Sequence, residues 1–239
     1  MYKETHARSI VKTISWRFLA TLTTVSLVYI FIGDVSVALS VGGVEVFLKM
    51  LVYFFHERVW DKIKFGRKEI KPVVIWITGL ARSGKKEIGA NLTDILKEKG
   101  HKVVNLDGHT IRELIPGMGY SRDQVNDHIM KVGYLAKKLE EHGIIVVASF
   151  LSPYIESREF VKNLVENYLE VYISTSAEVC ADRDEKGIYQ RALNGEIKNY
   201  PGVNVVYEKP DNPFLEIDTE SITTDEAAKI IYKKVTKLL

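Results

Sequence analysis

The chain has 239 residues, enough for one α/β domain of ordinary size plus something smaller. A net charge of +2 gives no support to a nucleic-acid partner, and no DNA- or RNA-binding motif is present. The single cysteine, Cys180, excludes an intrachain disulfide; with no signal peptide ahead of the soluble part, a reducing cytosolic setting is expected.

The first seventy residues read as a separate unit. Phe18 to Ile32, "FLATLTTVSLVYIFI", carries no charge. Gly33-Asp34 interrupts it, and Val35 to Phe55 follows with only Glu45 and Lys49 as charges. Those two are spaced i, i+4 and pair on one helical face. Each segment approaches the roughly 20 residues that a helix needs to cross a bilayer. Lys3, Arg8, Lys12 and Arg17 precede the first segment, and Arg58, Lys62, Lys64, Arg67, Lys68 and Lys71 follow the second. The turn between them has no Lys or Arg, so both ends are expected on the cytoplasmic side of an inner or plasma membrane. Trp16, Tyr53 and Trp60 fall where interfacial aromatics belong. The expectation for 1–70 is therefore a two-helix transmembrane hairpin, with residues 18–55 in lipid. The intramembrane ion pair favours self-association into a homodimer. A soluble helical hairpin buried against a partner is the alternative. The blocks "HARSIVKTISWR", "GGVEVFLKM" and "FHERVWDKI" also resemble a family of small, uncharacterised two-helix membrane domains, over about Glu4 to Arg67.

From Lys71 onward strands and helices alternate. Strands are expected at Val73 to Thr78, Lys102 to Leu106, Ile144 to Phe150 and Leu169 to Ser174. Helices are expected at Lys85 to Lys99, Arg122 to His142 and Ser157 to Asn167. Cys180 falls in a helix-like stretch and reads as a small buried apolar residue. This order implies an α/β domain over 71–239, a parallel sheet covered by helices on both faces.

Between the first of these strands and the first helix lies "GLARSGKK". Gly79, Leu80, Ala81, Arg82, Ser83, Gly84 and Lys85 match the phosphate loop G-x-x-x-x-G-K-[ST] up to its last position, where Lys86 stands. Backbone N–H groups of such a loop curl around an anion, the helix N-terminus adds its positive dipole end, and Lys85 reaches the outer phosphates. Asp107 falls at the carboxyl end of the second strand, where ligand groups collect in open α/β sheets. A carboxylate there can hold Mg²⁺ or take a proton, or simply make the turn before Gly108.

The blocks "GLARSGKKEIGANL", "NLDGHTIREL", "GYSRDQVNDHIMKVGYLAKKLEEHGIIVVASFLSPY", "EVCADRDEKGIYQRALNGEIKNYPG" and "NPFLEIDT" resemble, in order, the adenylyl-sulfate (APS) kinase family. The resemblance implies a P-loop kinase-like fold. It also implies transfer of the γ-phosphate of ATP, with Mg²⁺, to the 3′-hydroxyl of APS, making PAPS. It places Gly79, Ser83, Gly84 and Lys85 around the ATP phosphates and Arg183 near the ATP base. Asp107 matches the first acid of the family's D-G-D and stands as the metal residue. On the substrate side, Arg112 matches the arginine at the phosphosulfate end, and Tyr120 and Tyr200 match two rings that sandwich the adenine. Ser149, Phe150 and Leu151 match the substrate-side strand end, and Lys198 the lysine of the mobile segment. The chain departs from the pattern at five positions. Lys86 replaces the Mg²⁺-binding Ser or Thr, and His109 the second Asp of D-G-D. Val125 and His128 replace a substrate arginine and an asparagine, and Ile155 replaces the arginine after S-P-Y. His109 is then the alternative proton acceptor. Two further readings stay open: a kinase for another nucleotide-linked acceptor, and an ATP-binding scaffold or sensor at the membrane without catalysis.

Overall fold

The computed structural model describes residues 2–4, 6–30, 35–63, 65, 67–69, 71–114 and 121–238. The chain divides into two compact units, Met1–Ile70 and Lys71–Leu239.

In the first unit, strand β1 (Tyr2–Glu4) pairs antiparallel with β2 (Arg67–Glu69), so both ends of the unit lie together. Between them run two helices, α1 (His6–Ile30) and α2 (Val35–Lys62), each extending past its apolar segment into the charged flank. The flanks interlock. Lys12 Nζ donates to Glu57 Oε1 at 2.8 Å, Ser15 Oγ lies 2.8 Å from His56 Nε2, and Trp16 packs edge-on against Tyr53. Arg8, one of the basic residues that precede the first apolar segment, is buried. It donates to the carbonyls of Trp60, Ile63 and Phe65, closing the C-terminus of α2 with a cation, as the helix dipole favours. Among the described residues no helix is long and apolar enough to cross a membrane. The expected turn at Gly33-Asp34 and the Glu45 side chain lie outside the described residues. The exposed side of the hairpin carries large apolar side chains, among them Phe18, Phe47, Met50, Phe54 and Phe55.

The second unit opens with β3 (Val74–Gly79) and α3 (Lys85–Glu98), followed by β4 (Val103–Asp107), α4 (Gly108–Leu114), α5 (Arg122–Glu141) and β5 (Ile145–Ser149). It continues with α6 (Ile155–Leu164), β6 (Tyr168–Ile173), α7 (Ala177–Asp182), α8 (Ile188–Leu193), β7 (Leu215–Ile217) and α9 (Thr224–Val235). The strands form one sheet in the order β4-β5-β3-β6-β7, with every pairing parallel. The apolar run of β3 is explained by its central place: both faces are covered and all six residues are buried. Ile75 and Ile77 face Ile88, Leu92 and Leu96 of α3 and Ile231 of α9. Val74 and Trp76 face Ile129 and Val132 of α5 and Val161 of α6. The parallel strands point their carboxyl ends to one edge, which gathers Gly79, Asp107, Ser149 and Ile173. Cys180 is fully buried within α7.

Candidate active site

The turn from β3 into α3 is built around glycine. Gly79 has φ 152°, and a Cβ there would sit 2.5 Å from the Ile173 carbonyl oxygen of the neighbouring strand. Gly84 has φ 86° and closes the loop as the residue before α3. Between them Arg82 holds φ 65°, a left-handed backbone for a side-chain-bearing residue, and its guanidinium donates to Asp184 at 3.2 Å. The loop is anchored elsewhere as well. Tyr189 OH donates to the Ala81 carbonyl at 2.8 Å, and Thr219 Oγ1 to the Ser83 carbonyl at 3.2 Å. Thr219 in turn accepts two bonds from Arg183, one at its hydroxyl (3.0 Å) and one at its carbonyl (2.7 Å).

Lys85 is buried inside this turn. Its ammonium donates to the Leu80 carbonyl and, at 3.3 Å, to Ser83 Oγ. Burial pulls its pKa down from 10.5 to about 8. A cation held this way, at a helix N-terminus, is stabilised by an arriving anion.

Asp107 ends β4, directly beside Ser149 of β5. Its Oδ1 accepts from the backbone N–H groups of His109 and Thr110, each at 3.1 Å, and its Oδ2 from the Thr110 hydroxyl at 2.7 Å. The carboxylate thus closes the first turn of α4. Burial works to raise its pKa, but the Thr110 hydroxyl, the two N–H groups and the nearby Lys86 charge together hold it below the ordinary carboxylate value.

Two cavities flank the loop. One, of about 360 Å³, is lined by Arg82, Gly84, Glu87, Arg183 and Thr219. The other, of about 550 Å³, opens past Ala81 and is lined by His109, His128, Phe150, Leu151 and Tyr200. Its walls are fixed by packing. Phe150 stacks on Trp76 with ring centres 5.5 Å apart, and His128 packs edge-on against Phe150. Tyr200 leans edge-on against Tyr189 at 5.2 Å. Behind the wall, buried Arg158 donates to the Ser152 carbonyl at 2.6 Å and pairs with Glu170 at 2.9 Å.

The chain aligns with known proteins over this same unit. Residues 71–218 match the profile of the family described as adenylylsulphate kinase. A probable adenylyl-sulfate kinase of Aeropyrum pernix is 39% identical over 170 residues, which is 69% of this chain and 93% of that one. The adenylyl-sulfate kinase of Microcystis aeruginosa is 38% identical over 167 residues, covering 70% and 92%. The chain belongs to the adenylylsulphate kinase family. Members of the family are ATP-dependent kinases, and the fold agrees. The Mycobacterium tuberculosis APS kinase CysC, solved in complex with AMPPNP and APS, superposes with a TM-score of 0.66 at 28% identity, over 70% of this chain and 98% of that one. Residues 10–61 match a second family, described as predicted membrane protein (DUF2061).

Against this family's expected site, the structure sorts the residues. Gly79 to Lys85 form one continuous turn, and Arg183 lies beside it. His109, His128, Phe150, Leu151 and Tyr200 meet around one cavity. Ser149 does not join them: its hydroxyl lies against Gly89 of α3. Lys198 is exposed and does not line the cavity, while its neighbours Ile197 and Asn199 do. Tyr120 and the side chain of Arg112 lie outside the described residues. Ile129, Ile188 and Arg191 complete the cavity without having been singled out from sequence. The helix of Ile188 and Arg191, α8, has six residues and gave no periodic signal that could have found them.

The residues present do not make a Mg²⁺ site of the kind the family pattern implies. Position 86 offers an ammonium where an oxygen ligand belongs. Both Asp107 oxygens already serve α4, and among the described residues no group of three or more His, Cys, Asp or Glu is placed to hold a metal.

Proposed function

We propose that this chain is a membrane-attached kinase that transfers the γ-phosphate of ATP to the 3′-hydroxyl of adenosine 5′-phosphosulfate. The observation that carries the reading is the position of the loop between two cavities: Arg82 and Gly84 border one, Ala81 the other. A triphosphate gripped by the loop would present its terminal phosphorus to a hydroxyl in the larger cavity. Lys85 and the loop N–H groups hold the phosphates, and Arg183, fixed on Thr219, borders the base side. Tyr200 gives a flat ring for the acceptor base, with Tyr120 as its expected partner on the other face.

The acceptor oxygen attacks the γ-phosphorus, its proton leaves to a base, and the bond to the β,γ-bridging oxygen breaks to release ADP. His109 is better placed than Asp107 to take that proton. It lines the acceptor cavity, whereas the Asp107 carboxylate is held by three hydrogen bonds to α4 that lower its affinity for a proton. A different nucleotide-linked acceptor is the second reading. Val125 and Ile129 give the cavity an apolar wall where the family pattern carries charge at position 125.

Attachment to the membrane is supported by the second family match and by the exposed apolar side of the hairpin. The β1–β2 pairing supports both ends of 1–70 lying on one side, and the basic flanks favour the cytoplasmic side. The test offers the full chain ATP with a panel of acceptors: APS, AMP, adenosine and cytidine monophosphate. ADP formed with APS well above the others supports the first reading. Preference for another nucleotide supports the second, and ATP binding without turnover on any acceptor defeats both.

A further inference from the structure

Among the described residues, Lys85, Arg82, Arg183 and Lys86 are the cations of the loop and its borders, and the first three are committed. Lys85 is bonded to Leu80 and Ser83, Arg82 to Asp184, and Arg183 to Thr219. The fourth, Lys86, is exposed at the start of α3 and makes no hydrogen bond or ion pair among the described residues. It stands at the motif position whose hydroxyl normally faces the metal between the outer phosphates. It follows Lys85 directly in the first turn of α3, and its charge is among those that lower the Asp107 pKa. An ammonium there cannot ligate a divalent cation and repels one. An ammonium at this position can instead pair with phosphate oxygens as a point charge.

The geometry points to a nucleotide site in which the Lys86 ammonium takes the place of a protein-ligated divalent ion, so that the loop binds ATP without help from Mg²⁺. This rests on the nucleotide-binding part of the function proposed above, and it changes what the loop selects. The ligand is the free triphosphate, its outer oxygens shared between Lys85, Lys86 and the loop N–H groups. Asp107, whose oxygens accept three bonds from α4, has little capacity left for a metal that accompanies the nucleotide.

The experiment is calorimetric titration of the full chain with ATP, once in EDTA and once in excess Mg²⁺. The expected result is an affinity in EDTA within about threefold of that in Mg²⁺, or tighter. Two variants separate charge from ligation. Lys86→Met should weaken metal-free binding about tenfold and gain nothing from Mg²⁺. Lys86→Thr should weaken metal-free binding by a similar factor but recover about tenfold when Mg²⁺ is added, because the hydroxyl restores a ligand. Should either variant fail to fold, Mn²⁺ reports on the unaltered chain. Water-proton relaxation should show Mn²⁺ held by ATP and protein no more tightly than by ATP alone. Tightening of ATP binding by about tenfold or more with Mg²⁺, or of Mn²⁺ by the unaltered chain, overturns the inference and leaves the kinase reading standing. No ATP binding in either condition overturns the nucleotide reading itself, and the inference with it.

Discussion

Lys85 is the residue on which the site turns, and its chemistry sets a pH dependence. Its pKa in the folded chain, about 8, lies below the ordinary 10.5, so the unfolded chain binds more protons between those values. The Lys85 contribution to stability therefore rises with pH across that window. A bound triphosphate reverses the effect by stabilising the charged form. ATP binding at pH 8 should take up as much as ~0.5 proton, and less as the pH falls to 7. Titrations in two buffers of different ionisation enthalpy measure this directly; identical heats at pH 8 would contradict it. Lys85→Ala should lower phosphoryl transfer by about a hundredfold or more, since the charge acts mainly on the transferring group. Tyr200→Ala belongs to the acceptor side. It should raise the acceptor KM roughly three- to tenfold while leaving the KM for ATP unchanged. Steady-state kinetics with each substrate varied in turn distinguish the two. Asp107 shows where residue-level reading stops. Its place at a strand end and the alternative of a turn before Gly108 were legible, but the partners of its three bonds to the start of α4 were not, because they depend on how the chain continues after Gly108.

At the scale of elements, β3, the loop and α3 were readable because periodicity, glycine placement and motif agree. Strand and helix limits shift by a few residues at most for α3, β4, α5, β5 and β6, and α6 begins two residues ahead of the expected Ser157. The short elements were not readable. α8 has six residues and β7 three, too few for a period to register; their positions come from packing against the loop and β6. The cavity wall has the same origin. Ile188 and Arg191 reach it because α8 is moored by Tyr189, which bonds to Ala81 through its hydroxyl and to Asp184 through its backbone. Behind the opposite wall, Arg158 joins α6 to β6 and to the Ser152 turn. Arg158→Met leaves the Glu170 charge buried without its partner and should destabilise the second unit by about 3–5 kcal/mol. Chemical denaturation checks this; a loss within experimental error of zero would show the pair to be dispensable.

For the whole molecule, the sequence reading separated a hairpin from a kinase-like unit, and its α/β part agrees with the sheet order and with the relatives. The hairpin was less legible. Arg8 read as a membrane-flank charge, whereas it closes the end of α2, a role that needs the two helices side by side. Flotation with phospholipid vesicles tests the attachment proposed for it. The full chain should float, and a variant with Phe18, Met50, Phe54 and Phe55 changed to Ser should remain in the soluble fraction; equal behaviour would count against a lipid-facing surface there. The central claim, that the turn between β3 and α3 delivers a phosphoryl group into the cavity beside Ala81, is tested most directly by one single-turnover reaction. The full chain is mixed with APS and ATP labelled in its γ-phosphate, and the products are separated. The account predicts label in a 3′-phosphorylated APS, with unlabelled ADP in equal amount, and transfer by Lys85→Ala slower by about a hundredfold or more. Label that stays in ATP, or appears only as inorganic phosphate, would contradict it.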